Sequence, residues 1–250
     1  GAFRWTTSLN MSFNRNEVTE LYNGQPVDDI GRGGNRLEEG EPIGIFYGWN
    51  SLGVDPSTGD IVFEDVDGNG DIDSNDRTKI GDPNPDFVGG FNNELSYKGF
   101  TLSAFFQFSY GNDIFNGTRV YLESMKGSDN QYSSVLRRWQ EPGDITDVPR
   151  ATNSDRNENN RHSSRFVEDG SYFKLKNLRL GYRFPERITS ALRVNRLEVF
   201  AVAQNIWVLT DYSGMDPEVN YAGQDVTRLG TDFFTYPQAK SLTFGLSMNF

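Results

Sequence analysis

Apolar residues recur at every second position through six stretches of the chain. In FRWTTSLNMSF (3–13), Phe3, Trp5, Thr7, Leu9, Met11 and Phe13 share one side, while Arg4, Thr6, Ser8, Asn10 and Ser12 share the other. In FTLSAFFQFSY (100–110), Phe100, Leu102, Ala104, Phe106, Phe108 and Tyr110 oppose Thr101, Ser103, Phe105, Gln107 and Ser109. FVGGFNNELSY (87–97) aligns Phe87, Phe91, Leu95 and Tyr97, and KLKNLRLGYRF (174–184) aligns Leu178, Leu180, Tyr182 and Phe184. RLEVFAVAQNIW (196–207) repeats the pattern with Leu197, Val199, Ala201 and Ala203; SLTFGLSMNF (241–250) does so with Leu242, Phe244, Leu246, Met248 and Phe250. A period of two marks strands with unlike faces. The spacing predicts strands over 2–13, 87–97, 100–110, 171–184, 196–207 and 240–250.

These strands are long. Globular strands run to about 5–6 residues, whereas a tilted membrane-crossing strand needs about 9–11. The less apolar side carries small polar groups with Arg179, Arg183 and Glu198. A water-filled lumen tolerates that mixture; a sandwich core does not. The connections are a separate signal. Lys98-Gly99 is a tight hairpin and PERITSALRVN (185–195) leaves room for one helical turn, while 14–86, 111–170 and 208–239 are long. Short and long links alternate strictly, as they do in outer-membrane barrels with short periplasmic turns and long extracellular loops. The fold class this predicts is all-β, an antiparallel transmembrane β-barrel, with the three long loops extracellular and the C-terminus periplasmic. IGIFYGW (43–49) then belongs to an extracellular loop and is not a seventh barrel strand, and SSVLRRW (133–139) makes a short helix inside the second loop. Trp5, Tyr97, Tyr110, Tyr182 and Trp207 near strand ends are candidates for interfacial aromatic girdles.

Composition agrees with many strands and turns: 26 Gly, 10 Pro, 19 Phe, 11 Tyr and 4 Trp among 250 residues. With no Cys there is neither a disulfide framework nor a thiolate site. The net charge of −11 excludes a nucleic-acid partner as the main function. No apolar run is long enough for a membrane helix, which has no bearing on a barrel. GAFRWTT lacks the basic head and apolar middle of a signal peptide.

One segment carries metal chemistry. In DVDGNGDIDSND (65–76), Asp65, Asp67, Asn69, Gly70, Asp71, Asp73 and Asp76 fall at positions 1, 3, 5, 6, 7, 9 and 12 of an EF-hand-type calcium loop. Carboxylates gathered this closely repel unless a cation joins them. The expected ligands are Asp65, Asp67, Asn69, Asp71 and Asp76, with Asp73 acting through water. The flanks are not helical, so a structural calcium is expected rather than a sensor. Enzyme chemistry finds no support. The acidic pairs Asp28-Asp29 and Glu38-Glu39 lie in glycine-rich loop sequence and read as solvated charge. The single histidine, His162, sits in the polar tract NSDRNENNRHSSR and reads as a solvated loop residue. Tyr47, Trp49, Tyr132, Trp139, Tyr212 and Tyr221 are loop aromatics able to stack on substrate or to pack the loops together.

RTKIGDPNPDFVGGFNNELSYKGFTLSAFFQFSYGNDIFN (77–116), SYFKLKNLRLGYRFPERI (171–188) and LEVFAVAQNIWVLTDYSGMDPEVN (197–220) together resemble the SusC/RagA-type TonB-dependent outer-membrane transporters of Bacteroidota-type bacteria. TFGLSMNF, ending on Phe250, resembles a barrel-insertion signal. The resemblance implies a 22-stranded barrel of which this chain supplies the C-terminal six strands, a plug domain absent from this chain, and coupling to the TonB complex through the missing N-terminal part. It also implies outer-membrane lipid around the barrel, a SusD-like lipoprotein lid, and import of oligosaccharides or peptides. Two other readings stand beside it: a secreted calcium-stabilised β-sandwich that binds glycans, and a structural or adhesive outer-membrane barrel.

Overall fold

The computed structural model describes residues 3–250; the first position of the 2–13 segment lies outside them. Six long strands form one antiparallel sheet: β1 (Phe3–Ser12), β2 (Phe87–Tyr97), β3 (Phe100–Tyr110), β4 (Tyr172–Arg183), β5 (Arg196–Thr210) and β6 (Ser241–Asn249). Their spatial order is their chain order, a simple up-and-down meander. Between β2 and β3 the chain reverses at Lys98 and Gly99, with φ of 46° and 91°. Left-handed backbone at both central positions suits the right-handed twist of a two-residue hairpin. Between β4 and β5 the link holds helix α2 (Glu186–Ala191).

Cross-strand register keeps one face apolar. Trp5 faces Leu95, Leu95 faces Leu102, Leu102 faces Leu180, Leu180 faces Ala201, and Ala201 faces Phe244. This face is not covered. Trp5 is 63% exposed, Leu180 51% and Phe244 75%, and the sheet has no second sheet packed on it among the described residues. That observation removes the β-sandwich reading, because a sandwich buries such a face. The register of β4 shifts between Leu175 and Asn177 against both neighbours. Against β3 the extra residue is Lys176, which keeps Phe173 and Leu175 on the apolar side with Leu178 and Leu180; against β5 the extra residue lies in β5, between Gln204 and Trp207.

The most deeply buried apolar residues lie in the connections, not in the long sheet. Phe46, Phe115 and Phe166 form one core with Ile80, Val120 and Val167 around it; Ile114, Tyr212 and Val219 form a second. Loop 1 (14–86), loop 2 (111–171) and loop 3 (211–240) each contribute. They carry a four-stranded sheet of Val27–Ile30, Asn35–Leu37, Ile45–Trp49 and Arg77–Gly81, a three-stranded sheet of Val167–Asp169, Asp113–Asn116 and Thr231–Asp232, and the hairpin Ser51–Val54 with Ile61–Phe63. Helix α1 (Gly117–Leu122) follows Asn116, whose side chain accepts the Arg119 N–H as its cap. IGIFYGW therefore does form a strand, Ile45–Trp49, but in this separate loop sheet. SSVLRRW forms a 3-10 turn over Ser133–Arg137.

Two readings of polar loop residues change. His162 is half-buried: its ring sits edge-on to Phe115 at 5.2 Å, and burial lowers its imidazole below the ordinary value. Its tract is ordered by loop 1, through Ile61 N–H donating to Asn159 Oδ1 at 2.7 Å and Asn157 Nδ2 donating to Ile61 O at 2.9 Å. Asp28 and Asp29 are exposed and Glu38 half-buried, and all three are paired, with Arg36 and Arg77. Glu39 accepts the Leu21 N–H at 2.7 Å.

Candidate functional site

The acidic segment of loop 1 folds as a chain of nested turns. Asp65 accepts the N–H groups of Gly68, Asn69 and Gly70; Asp67 accepts the Asn69 N–H; Asn69 accepts the Asp71 N–H. Gly68 and Gly70 take φ of 71° and 89°, left-handed conformations that a side chain resists. These turns bring carboxylate oxygens of Asp65, Asp67 and Asp76 within 4.8 Å of one another. Asp76 anchors the group from below. It is fully buried and accepts the Val66 N–H at 2.8 Å and the Asp73 N–H at 2.7 Å. The Asp73 N–H lowers its pKa below the ordinary carboxylate value; burial opposes this, and the Val66 and Asp67 N–H groups add to the lowering. Asp71 and Asp73 do not join the three-carboxylate group: Asp73 instead caps the turn Ser74–Asp76 by accepting the Asn75 N–H. Asn69 touches it through its amide, which donates to Asp67 Oδ2 at 3.0 Å. The donor set is hard oxygen throughout, and a Cβ at Gly70 would meet nothing within 4 Å, so one side of the turn is open. A divalent hard cation fits.

Other loops brace this segment. Trp49 Nε1–H donates to Asp73 O at 2.7 Å and Arg161 donates to Ile72 O at 3.0 Å, with the guanidinium 5.1 Å from the Trp49 ring. The remaining loop aromatics singled out from sequence mostly knit loops together. Tyr47 lies beneath Arg36 at 3.8 Å, Trp139 Nε1–H donates to Pro56 O at 3.0 Å, and the buried Tyr212 hydroxyl donates to Asp232 at 2.6 Å. Tyr221 accepts the Arg32 N–H at 2.9 Å. Only Tyr132 keeps a substantially open ring, at 39% exposure.

At the loop end of the polar face, loop 3 is tethered to β4. Lys174 Nζ lies 2.9 Å from Asp216 and 2.5 Å from Glu218, and Lys176 reaches Glu218 at 2.9 Å. Burial works against the Asp216 charge, but the Lys174 ammonium and two N–H donors, Glu218 and Gln238, hold its carboxyl below the ordinary range. Towards the opposite end the polar face carries Arg179 and Arg196, both paired with Glu198.

No family model matches the chain. TonB-dependent receptor P3 of Formosa agariphila is 38% identical over 99% of the chain, and receptor P39 of the same organism is 32% identical over 99%. TonB-dependent receptor SusC of Bacteroides thetaiotaomicron is 28% identical over 99%. The chain spans 27%, 28% and 24% of those proteins, so it matches about a quarter of each, at the C-terminal part. The structure of the RagAB peptide transporter superposes with a TM-score of 0.83 at 26% identity, over 100% of this chain and 27% of that one. The chain belongs to the SusC/RagA-type TonB-dependent transporters.

The family is one of outer-membrane proteins, and the sheet has the matching dimensions. Rings cluster at both ends of the apolar face. At the loop end, Phe13 meets Phe87 at 5.9 Å, Phe87 stacks on Tyr110 at 5.1 Å, Phe108 meets Phe173 at 6.3 Å, and Phe173 meets Trp207 at 6.2 Å. At the turn end, Phe100 meets Tyr182 at 4.6 Å and Tyr182 meets Phe184 at 5.1 Å. From Phe87 to Tyr97 the chain advances ~33 Å at a rise of ~3.3 Å per residue. A tilt of ~40° converts this to ~25 Å, the height of the apolar band of an outer-membrane barrel. The phenylalanines of the loop-end belt were not singled out from sequence, because only their cross-strand register lines them up.

Proposed function

We propose that this chain is the C-terminal wall of an outer-membrane, TonB-dependent importer that takes up oligosaccharides or peptides with a SusD-like surface lipoprotein. The observation that carries the reading is the two-faced sheet: an uncovered apolar face bounded by aromatic belts, backed by a face bearing Arg4, Glu94, Arg179, Arg183 and Glu198. Lipid accommodates the first face and a hydrated, plug-filled lumen the second. The remaining strands, needed to close a barrel of 22, the plug and the TonB-contacting segment belong to the rest of the protein. The three long connections face the cell exterior, and the short turns and the C-terminus face the periplasm. Relatives are named as receptors and transporters, and the role proposed is transport without catalysis.

We further propose that loop 1 binds one structural calcium through Asp65, Asp67 and Asp76, with Asn69, Asp71 and, through water, Asp73 completing the oxygen shell. The ion would neutralise the convergent carboxylates and stiffen the segment that Trp49 and Arg161 brace.

Orientation and transport are tested in the full-length protein in its own cells. A cysteine placed at Asp129 in loop 2 should react with an impermeant thiol reagent on intact cells, and one at Lys98 only after lysis; the reverse result overturns the topology. Deleting TonB should abolish accumulation of the protein's substrate, whereas a structural or adhesive barrel would be indifferent. For the metal, equilibrium dialysis with calcium should lose one site per protein in the Asp65→Ala, Asp76→Ala double variant, and unchanged stoichiometry rejects these ligands.

A further inference from the structure

Guanidiniums and rings stack alternately along one side of the loop 1 sheet. Tyr47 and Trp49 are two apart on the strand Ile45–Trp49, so their rings share a side, and Arg77 pairs with Trp49 across the neighbouring strand. The Arg36 guanidinium lies 3.8 Å from the Tyr47 ring centre, and Arg77 lies 5.3 Å from the same ring and 5.7 Å from Trp49. Arg161 continues the series, 5.1 Å from Trp49 and 5.4 Å from Phe63. The order is therefore Arg36, Tyr47, Arg77, Trp49, Arg161, Phe63. The Arg36 side chain is 12% exposed and those of Arg77 and Arg161 are 14% exposed, and the rest of a longer protein can only bury them further. Cation–π contact strengthens as its partners leave water.

The two ends of this ladder hold different parts of loop 1. At one end are backbone carbonyls of the acidic turn: Trp49 Nε1–H donates to Asp73 O at 2.7 Å, and the Arg161 guanidinium donates to Ile72 O at 3.0 Å. At the other end are carboxylates of the strand Val27–Ile30. Asp28 lies 3.1 Å from Arg36 and 3.2 Å from Arg77, and Asp29 lies 2.8 Å from Arg77. That strand is bulged. Its register against Asn35–Leu37 shifts between Val27 and Ile30, and Asp29 sits at a φ of 54°. Left-handed backbone costs any residue with a side chain, and a bulge leaves residues without pairing partners. The shape of the bulge therefore depends on the guanidiniums that grip Asp28 and Asp29.

We propose that the ladder is a conformational relay: it makes the acidic turn 65–76 and the bulged strand Val27–Ile30 one cooperative unit, so that strain or an ion acting on the turn is felt at Asp28 and Asp29. The turn fixes the Trp49 indole and the Arg161 guanidinium through its carbonyls. Trp49 then fixes the plane of Arg77 by stacking, and Arg77 fixes the bulge through two carboxylates. A planar guanidinium passes on orientation in this way; an ammonium, a point charge on a flexible stem, does not. Segments joined by such contacts open together in native-state exchange. Calcium as one input rests on the metal reading above, whereas the relay itself is carried by contacts within the chain.

The test uses the full-length transporter in detergent and reads native-state amide hydrogen exchange at 27–30 and at 65–76. Gly70→Ala is the first input. It leaves every charge in place and its Cβ would meet nothing within 4 Å, yet it strains the turn because Gly70 holds a φ of 89°. Exchange should speed up at 65–76 and, through the ladder, by about fivefold at 27–30, the low end of ordinary coupling between sites. In a Trp49→Leu background the response at 27–30 should shrink while that at 65–76 persists. Trp49→Phe, which keeps a ring between the guanidiniums, should restore part of it; this difference of differences separates coupling from plain loss of stability. A turn that loosens with no effect on 27–30 overturns the relay, and so does an undiminished response in Trp49→Leu. Calcium alone is the second input: adding it to the metal-free wild type should slow exchange at both segments. Slowing at 65–76 without slowing at 27–30 also overturns the relay. If calcium leaves 65–76 unchanged, the metal reading fails, and the Gly70→Ala series still decides the relay.

Discussion

Asp113, at the start of the short strand Asp113–Asn116, shows how strongly one loop residue depends on its surroundings. Burial raises its carboxyl above the ordinary carboxylate range; the Asp82 N–H that it accepts at 2.8 Å opposes this, and the Asp82 and Asp169 charges raise it further. Asp169 is also its cross-strand partner. A carboxyl whose folded pKa exceeds the unfolded value near ~3.9 favours the protonated folded state. Stability is therefore highest below the unfolded pKa and is lost as pH rises through the folded pKa. Asp113→Asn keeps an acceptor for the Asp82 N–H and removes the charge. Its melting temperature should exceed wild type at pH 7, with the gain shrinking as pH falls towards 4; a gain of equal size at both pH values would reject the charge account. This scale was the least legible in the sequence. His162, in a tract of Asn, Arg and Ser, reads as solvated because nothing local shows that Phe115, some 50 positions away by count of residues, closes over it. The EF-hand-like spacing, by contrast, was legible, because turn geometry within twelve residues suffices to bring Asp65, Asp67 and Asp76 together.

At the scale of the element, the long strands announce themselves through alternation, since one face is apolar along its whole length and a slip of one residue would turn it over. The shift at Lys176 and the aromatic belts are not local properties, because both depend on what lies opposite in the neighbouring strand. Phe200 is a sharper case. It is paired with Gly181 on one side and Gly245 on the other, on the polar face, with the Arg179 guanidinium 4.8 Å from its ring. A Cβ at Gly245 would come within 2.2 Å of that ring, so the glycine is the seat on which the phenylalanine lies. Gly245→Val should cost about 1–3 kcal/mol through overpacking and loosen the pairing of β5 with β6. Adding Phe200→Ala should return part of that loss. The coupling is read from a double-mutant cycle on thermal unfolding of the full-length protein; purely additive effects would show that the ring and the glycine do not interact.

At the scale of the whole molecule, the chain divides its two kinds of apolar surface. The loops bury theirs in cores such as Phe46, Phe115 and Phe166, while the sheet leaves Trp5, Leu180 and Phe244 uncovered. Sequence alternation reveals the second kind but not the first, because the loop cores are assembled from segments of separate connections with no period of their own. An uncovered face of this size has a clear energetic signature if lipid is its solvent. Leu180, in the turn-end half of β4 and half exposed, stands among Leu102 and Ala201. Placing an arginine there puts a charge on the lipid side between the midplane of a barrel, where it costs about 2–4 kcal/mol, and the interface, where the cost falls to about 0–1 kcal/mol. Thr243 in β6 lies on the other face, opposite Val202, where a charge would meet water. Leu180→Arg should therefore lower the folded, membrane-inserted yield and the melting temperature of the full-length protein, and Thr243→Arg should leave both near wild type. If the two substitutions are equally harmful, or if Thr243→Arg is the worse, then the faces have been assigned the wrong way round and the charged lumen falls with them.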